Sequence, residues 1–518
     1  MKPFTAPLDD ILFTLNHVAG ASDLPDWDSG FAAEVAGHFA GFAEGVIAPL
    51  DETGDRQGCR LVDGRVIMPD GFADAYNALA EQGWQGLSAP EIFGGQGMST
   101  LFQAMTSEIF VGANHSLQMV TTLAPGAVRT LLRFGSEGQK SKYIPQLASG
   151  AMLATMCLTE PEAGSDLARV RCKAERNGTD WTLSGEKIFI SGGDQNLSEH
   201  ILHLVLARTS DDGIKGLSLF LCPSQTDDGP RNSVSVTRIE EKMGLHASPT
   251  CQLVFDGARA ELIGEEGKGL AAMFTMMNHA RADVALQGVA HAARTHDIAR
   301  TYAAERLQGR TADGRPARLD QHADVQRMLS DIDSLTMSAR AIAQLAYVTM
   351  ERGDAPDLVE FLTPVAKVYC TQAGIKAADL GMQVLGGYGY LKEYRLEQTF
   401  RDARITTIYE GANGIHARTL ATRLLKSPAA DAFEAFVTSE ATHHTSRQIE
   451  QALETWQSAR ADLLAQADPT PKAHAFMELT TATLLECIWH RFAATANQHP
   501  DPERIKHLAD RARLHESL

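Results

Sequence analysis

The chain has 518 residues, of which 44% are hydrophobic and 22% charged, and its formal net charge is −18 at pH 7. That length exceeds one simple core and predicts several domains, and the composition is that of a soluble globular protein. The acid excess, with no basic block or arginine stripe, argues against nucleic acid as a partner.

At the start, Asp9 and Asp10 stand where a signal peptide would be apolar, and no apolar run of membrane-spanning length follows. The reading is a soluble, cytoplasmic protein with no membrane insertion. From about Phe31 to Gly150 apolar residues recur at helical spacing, with Gly and Pro marking the breaks. Beyond Cys157 the period becomes two, in Trp181-Thr182-Leu183-Ser184, in the runs 201–206 and 217–221, in Val234-Ser235-Val236 and in the run 251–255. No long helical pattern separates these strands, which predicts a small antiparallel β domain and not a Rossmann unit.

Helical periodicity returns after Gly269 and runs to Leu385, where Gly386 and Gly387 stop it; another helix follows Gly414. Lys426-Ser427-Pro428-Ala429-Ala430-Asp431 reads as a hinge. The stretch from Phe433 to Leu518 is again helical, broken at Asp468-Pro469-Thr470-Pro471 and His499-Pro500-Asp501-Pro502. The expected domain limits are 1–155, 156–270, 271–425 and 426–518. The seven cysteines are scattered without a Cys-x-x-Cys pair, which predicts reduced thiols and no metal site.

Glu410 carries the chemistry. A lone acid between Ile408-Tyr409 and Gly411 can be held out of water, where its pKa becomes adjustable, as a base acting on carbon requires. A Tyr-Glu-Gly tripeptide alone is more often an ordinary loop. Its weight comes from the preceding Gln383-Val384-Leu385-Gly386-Gly387-Tyr388-Gly389-Tyr390 and Arg401-Asp402-Ala403-Arg404. Together with Met156-Cys157-Leu158-Thr159-Glu160-Pro161-Glu162-Ala163-Gly164-Ser165-Asp166 and Gly185-Glu186-Lys187-Ile188-Phe189-Ile190-Ser191-Gly192, these blocks resemble the acyl-CoA dehydrogenase family. The resemblance implies an α+β fold: an N-terminal helical domain, a middle antiparallel β domain and a C-terminal four-helix bundle. An appended helical domain would follow.

It also implies FAD-dependent α,β-dehydrogenation of an acyl-CoA thioester to the 2-enoyl-CoA. Glu410 would remove the α-proton and flavin N5 would take the β-hydride, while the Glu410 backbone N–H and a flavin ribityl hydroxyl would bind the thioester carbonyl. Some branches of the family draw the base from the position held here by Ala280, which cannot act as one. For the flavin, the resemblance assigns Leu158 and Thr159 to the pyrimidine edge, Ser191 to the neighbourhood of N5 and Phe189 to one ring face. It assigns Arg306 to the pyrophosphate of a neighbouring subunit's flavin, and Gln383, Gly386 and Gly387 to the adenosine half. Gly387-Tyr388-Gly389 lacks a third glycine and follows a helix, so it is not a dinucleotide loop.

Ser165, Arg281, Tyr409 and Gly411 are the candidate substrate contacts, with a plain turn serine the equal alternative for Ser165. Two positions depart from the family pattern: Ala412 stands for the usual threonine, and Gly414 for a side chain near the cofactor. Within the family, the lead at 6–13, the run 187–191, Leu362-Thr363-Pro364-Val365-Ala366-Lys367 and the run 405–410 look most like the branch containing 3-methylmercaptopropionyl-CoA dehydrogenase. Dehydrogenation of another short or branched acyl-CoA, an acyl-CoA oxidase, a lyase on the same scaffold and a non-catalytic flavin-binding adaptor are the competing readings. The expected partners are an acyl-CoA substrate, an electron-transfer flavoprotein as acceptor, and further copies of the chain in a homodimer or homotetramer.

Overall fold

The computed structural model describes residues 3–178, 180–226 and 229–513. In chain order its helices are α1 (Leu8–Phe13), α2 (Ser29–Phe42), α3 (Pro49–Gln57), α4 (Phe72–Glu81), α5 (Thr100–Thr121), α6 (Leu123–Phe134), α7 (Glu137–Ser149) and α8 (Gly269–Glu305). There follow α9 (Ala323–Arg352), α10 (Pro356–Leu385), α11 (Leu396–Arg404), α12 (Asn413–Thr422), α13 (Pro428–His444), α14 (Arg447–Leu464), α15 (Ala473–Thr495) and α16 (Pro502–Arg513). The strands are β1 (Arg60–Val62), β2 (Arg65–Ile67), β3 (Met152–Cys157), β4 (Lys173–Asn177), β5 (Asp180–Ser191) and β6 (His200–Arg208). They continue with β7 (Leu217–Pro223), β8 (Val234–Ile239), β9 (Thr250–Ile263), β10 (Leu307–Arg310) and β11 (Pro316–Arg318). Two compact units result, both discontinuous in sequence: Gly45–Ser99 with Asn114–Ala280, and Met1–Glu44 with Thr100–Ala113 and Arg281–Leu518.

The first unit is built on the β domain. β6 pairs with β7, β7 with β9, β9 with β5, β5 with β4, and β4 returns to β6, so the ladder closes on itself; β3 flanks β6 and β8 flanks β9. Closure pairs the five ladder strands with one another, leaves edges only at β3 and β8, and encloses a core of Cys157, Leu183, Val205, Phe220, Leu253 and Phe255. The ladders are antiparallel except that β3 runs parallel to β6, from Met152 opposite His200 to Cys157 opposite Val205, with one further parallel bridge between Lys173 and Arg208. Parallel neighbours need a long connection, usually a helix. Here residues 158–199 make it with β4 and β5, so no helical pattern betrays the parallel pair.

The second unit is helical, and α10 is its centre, packing against α9, α11, α12 and α13. On another side it meets α8 backbone to backbone. A Cβ built on Gly288 would fall 2.2 Å from the Cys370 carbonyl, and one on Gly374 would fall 2.6 Å from the Gly288 carbonyl. Only glycine at these two positions permits so short an interaxial distance.

The segment 426–431, expected as a hinge, is instead a packed helix start. Ser427 caps α13 by accepting the Ala429 N–H at 3.4 Å, Pro428 occupies the first turn, and Ala429 and Ala430 are fully buried. The expected breaks at 468–471 and 499–502 lie on either side of α15. An aromatic core fastens the tail to the bundle: Phe361 of α10 stacks on Phe433 of α13 at 4.6 Å, and Phe433 meets Trp456 of α14 at 5.2 Å. Trp456 Nε1–H donates to Thr480 Oγ1 at 3.0 Å, so its one polar atom is satisfied.

Polar contacts pin the two ends of the chain to the same bundle. Arg504 of α16 donates to both carboxylate oxygens of Asp10 in α1, at 2.8 and 3.1 Å, and to both of Asp333 in α9, at 2.6 and 2.7 Å. His499 Nε2 lies 2.9 Å from Asp10 Oδ1, Arg511 reaches Asp331 at 2.8 Å, and Arg491 donates to the Val18 carbonyl at 2.8 Å.

Candidate active site

In the helical unit, α11 ends at Arg404, a single 3-10 turn covers Ile405–Thr407, and the chain then turns sharply before α12. Glu410 (φ 54°) and Gly411 (φ 92°) are consecutive left-handed residues. Such backbone is costly for a non-glycine and persists only where its surroundings hold it.

Four helices supply that hold. Arg281 of α8 donates through Nε to the Glu410 carbonyl at 3.2 Å, and His416 of α12 places Nε2 3.1 Å from the same oxygen, which makes Nε2 the protonated ring nitrogen. Lys367 of α10 donates through Nζ to the Gly411 carbonyl and to Asn413 Oδ1, both at 2.8 Å. On the preceding side, the Tyr409 hydroxyl donates to Gln287 Oε1, Gln287 donates to Asp283 at 3.3 Å, and Asp283 accepts from Ser107 of α5. Gly411 cannot be replaced without strain, because a Cβ there would lie 2.8 Å from His416 Nε2.

Glu410 itself is half-buried, but its Oε2 is shut from solvent and has no hydrogen-bond partner. Burial pushes its carboxyl up to about 7, against the opposing pull of the Arg281 and Lys367 charges. The same burial brings Lys367 down to about 7, with Glu410 acting in the opposite sense. Burial, together with Arg281 and Lys367, holds His416 neutral, down at about 3. Tyr409 is driven well above its usual value by burial and by the Asp283, Glu410 and Asp402 carboxylates, so it stays protonated and donates. The result is an unshared carboxylate oxygen poised between its two protonation states.

A second feature of the same unit gathers Arg306, Gln383, Gly386 and Gly387 around a cavity of about 650 Å³, with Tyr302 and Tyr388. The Arg306 guanidinium lies 5.6 Å from the Tyr388 ring centre. A Cβ built on Gly386 or Gly387 would meet nothing of this chain within 4 Å; the left-handed φ of 61° at the end of α10 accounts for Gly386, while nothing in the chain's own packing demands the missing side chain of Gly387. Open space beside an arginine fits a ligand that brings a phosphate group close to the backbone.

In the β unit, Leu158 and Thr159 follow β3 and are tied to β5. Lys187 Nζ donates to the Leu158 carbonyl at 3.0 Å and to Glu160 Oε1 at 2.7 Å, and the Ile188 N–H donates to the Thr159 carbonyl at 2.9 Å. Next to this tie the β5–β9 register shifts between Lys187 and Ile190, and Phe189 takes a left-handed φ of 59° with 59% of its surface exposed. A bulge that turns an aromatic ring outward into solvent suits a flat partner. Ser191 ends the strand opposite Thr250. Ser165 is exposed and follows the turn closed by Glu160 and Ala163.

The structure therefore brings Arg281, Tyr409, Glu410 and Gly411 into one cluster. Arg306, Gln383, Gly386 and Gly387 form another, and Leu158, Thr159, Phe189 and Ser191 lie near one another on the β unit. Lys367, Asn413 and His416 belong to the first cluster although sequence reasoning gave them no role. Lys367 sits 43 positions before Glu410 within an apolar helical run, and only the buried lysine itself could have flagged it. Among the described residues no group of His, Cys, Asp and Glu is arranged to hold a metal ion, and no helix is long and apolar enough to cross a membrane.

Models of the acyl-CoA dehydrogenase N-terminal, middle and C-terminal domains match residues 33–151, 155–258 and 267–425. The 3-methylmercaptopropionyl-CoA dehydrogenase of Ruegeria pomeroyi is 40% identical over 447 residues, which cover 80% of this chain and 75% of that protein. The structure of butyryl-CoA dehydrogenase from Megasphaera elsdenii superposes with a TM-score of 0.68 at 25% identity, covering 78% of this chain and 99% of that one. Caenorhabditis elegans ACDH-11, solved in complex with C11-CoA, shares the fold over 99% of this chain and 91% of its own, with a TM-score of 0.82 at 21% identity, and so includes the helices beyond residue 425. Three domain matches in order, and a relative at this identity and coverage, place the chain in the acyl-CoA dehydrogenase family.

Proposed function

We propose that this chain dehydrogenates an acyl-CoA thioester to the 2-enoyl-CoA with FAD, and that Glu410 removes the α-proton. The observation that carries the reading is the Glu410 carboxylate: one oxygen buried and unshared, a proton affinity near neutrality, and a backbone held by four helices. An α-proton of a thioester is weakly acidic, so its removal needs a base whose own affinity rises as water leaves. Glu410 begins already raised, and substrate binding would raise it further.

FAD, the cofactor of this family, fits the residues present: the outward Phe189 ring with Ser191, Thr159 and Leu158 would meet the isoalloxazine, and the Arg306 cavity with Gln383, Gly386 and Gly387 would meet the phosphate and adenosine half of a neighbouring subunit's cofactor. When bound, it supplies the acceptor for the β-hydride. The chain's part is to orient the thioester: the Glu410 N–H, on a turn fixed by the Gly411 and Glu410 carbonyl contacts, is the donor to the thioester oxygen. Ser165, Arg281, Tyr409 and Gly411 are the proposed contacts to the acyl-CoA.

The preferred substrate is a short acyl-CoA, 3-(methylthio)propanoyl-CoA, a choice supported by the Ruegeria pomeroyi relative. A homodimer or homotetramer, an electron-transfer flavoprotein as acceptor, and a functional division at 1–155, 156–270, 271–425 and 426–518 belong to the same reading. The test is an anaerobic titration of the flavin-loaded protein with 3-(methylthio)propanoyl-CoA and then with straight and branched acyl-CoAs, following the oxidised-flavin band. Bleaching by one compound and its loss in Glu410→Gln is the expected result. A flavin-loaded protein that none of them bleaches would refute the reading, and oxygen uptake without an added acceptor would mark an oxidase.

A further inference from the structure

A wholly buried lysine beside the base has no carboxylate bonded to it. Lys367 has no exposed side-chain surface, and both of its hydrogen bonds go to neutral oxygens, the Gly411 carbonyl and the Asn413 side-chain amide. Asn413 is fixed in turn, donating to Thr371 Oγ1 at 3.2 Å. Among the described residues the other buried lysine, Lys187, shows the ordinary solution, a direct pair with Glu160 at 2.7 Å. An ammonium kept in the interior against neutral acceptors needs a counter-charge, and Glu410 is the carboxylate whose field acts on it. Arg281 is the other cation facing the pair, His416 is neutral, and Tyr409, kept protonated beside the Asp283, Glu410 and Asp402 carboxylates, adds no charge.

The geometry points to Lys367 as a positioning residue of the reaction: it grips the Glu410–Gly411 turn by the Gly411 carbonyl and supplies a buried positive charge that favours the ionised base against the pull of burial. This rests on Glu410 being the base. The two roles separate chemically. The grip needs only N–H donors at the end of the side chain, whereas the charge effect needs the ammonium. When Glu410 is ionised the two charges support each other. When it takes up the α-proton, Lys367 is left facing Arg281 without a counter-charge, so its own proton affinity falls. The pair therefore responds to catalysis as one electrostatic unit.

Two substitutions divide the roles. Lys367→Gln keeps donors and removes charge; Lys367→Met removes both. Each is read by the pH dependence of the reductive half-reaction at saturating acyl-CoA, and by the titration of the Glu410 carboxyl carbon in glutamate-labelled, flavin-loaded protein, its resonance assigned by its loss in Glu410→Gln. Both variants are expected to move the Glu410 midpoint, and the acid limb of the rate, upward by about one pH unit. Lys367→Met should also lower the high-pH plateau by about tenfold or more, through loss of position, and Lys367→Gln should recover most of that plateau. A midpoint that stays put in both variants overturns the charge role, and a Lys367→Met plateau equal to that of the unsubstituted protein overturns the grip. Full turnover by Glu410→Gln would instead remove the base reading, a distinguishable result because the carboxyl titration reports on Lys367 without any turnover.

Discussion

The helical unit sets carboxylates beside arginines at several places, and it treats two of them, Asp10 and Glu410, oppositely. At Asp10 burial alone would raise the carboxyl's proton affinity, but bonds from His499 and Arg504 and the nearby Arg340 charge win, and it lies far below the usual carboxylate range. At Glu410 burial meets the Arg281 and Lys367 charges without a single hydrogen bond to Oε2, and burial wins. The cations differ little in kind. What differs is where their donors go: at Asp10 they bond the carboxylate itself, while at Glu410 they bond the backbone around it. A saturated carboxylate is locked as an ion and serves as structure; a carboxylate whose neighbours hold only its backbone remains free to exchange a proton.

The largest expected effect lies at the unsaturated site. Glu410→Gln, nearly isosteric and uncharged, should slow flavin reduction by roughly 10²- to 10⁴-fold in a protein that stays folded, since Oε2 makes no bond to lose and Lys367, already lowered to about 7, sheds its proton when its counter-charge goes. At the saturated site the consequence reverses. Arg504→Met leaves Asp10 and Asp333 buried without their main partner and should cost about 3–5 kcal/mol of stability, read by denaturant unfolding. The flavin-reduction rate of whatever remains folded should be retained.

Gly411→Ala tests the hold on the backbone. The left-handed φ and the 2.8 Å approach to His416 should cost about 1–3 kcal/mol, with turnover falling by about tenfold or more, because the base is displaced. The pH responses should also part. Glu410 acts when deprotonated and is raised to about 7, so the rate should climb as pH rises through about 7. Asp10 and Asp333 are lowered, so the stability they contribute is complete above the ordinary carboxylate value of about 4 and is lost as pH falls below it. Smallest in stability is Gly387→Ala, which meets nothing within the chain. Its unfolding free energy should stay within about 0.5 kcal/mol while flavin retention falls, and unaltered retention would detach this glycine from cofactor binding.

Local chemistry was what the sequence made legible. The Tyr-Glu-Gly tripeptide announces its turn because glycine follows an acid with apolar neighbours, and Gly386 ends α10 at the residue expected. The strands β5, β8 and β9 follow from period two, whereas β6 and β7, buried on both faces, show themselves as apolar runs between turns. Three things escaped for one physical cause, dependence on partners distant in sequence. Lys367 looks like a solvated helix charge until α12 and the Glu410–Gly411 turn are folded over it. β3, Met152-Leu153-Ala154-Thr155-Met156-Cys157, has no alternation because all but Met156 are buried, and its parallel partner begins 43 residues after its own end. At 426–431 the serine and proline were read as a break, although Ser-Pro before alanines is equally the signal of a capped helix, and burial against the bundle decided for the helix.

The bond between Asp10 and Arg504 spans 494 positions. During synthesis the first helix leaves the ribosome carrying a carboxylate destined for the interior; the Arg340 charge follows with α9, but the side chains that bond it, His499 and Arg504, come only near the end of the chain. Asp10 therefore lacks those bonds while the intervening β unit, complete by Ala280, already has all of its chain. A ribosome stalled between residues 280 and 499 would thus hold the whole chain of the β unit together with an Asp10 carboxylate still without its bonding partners.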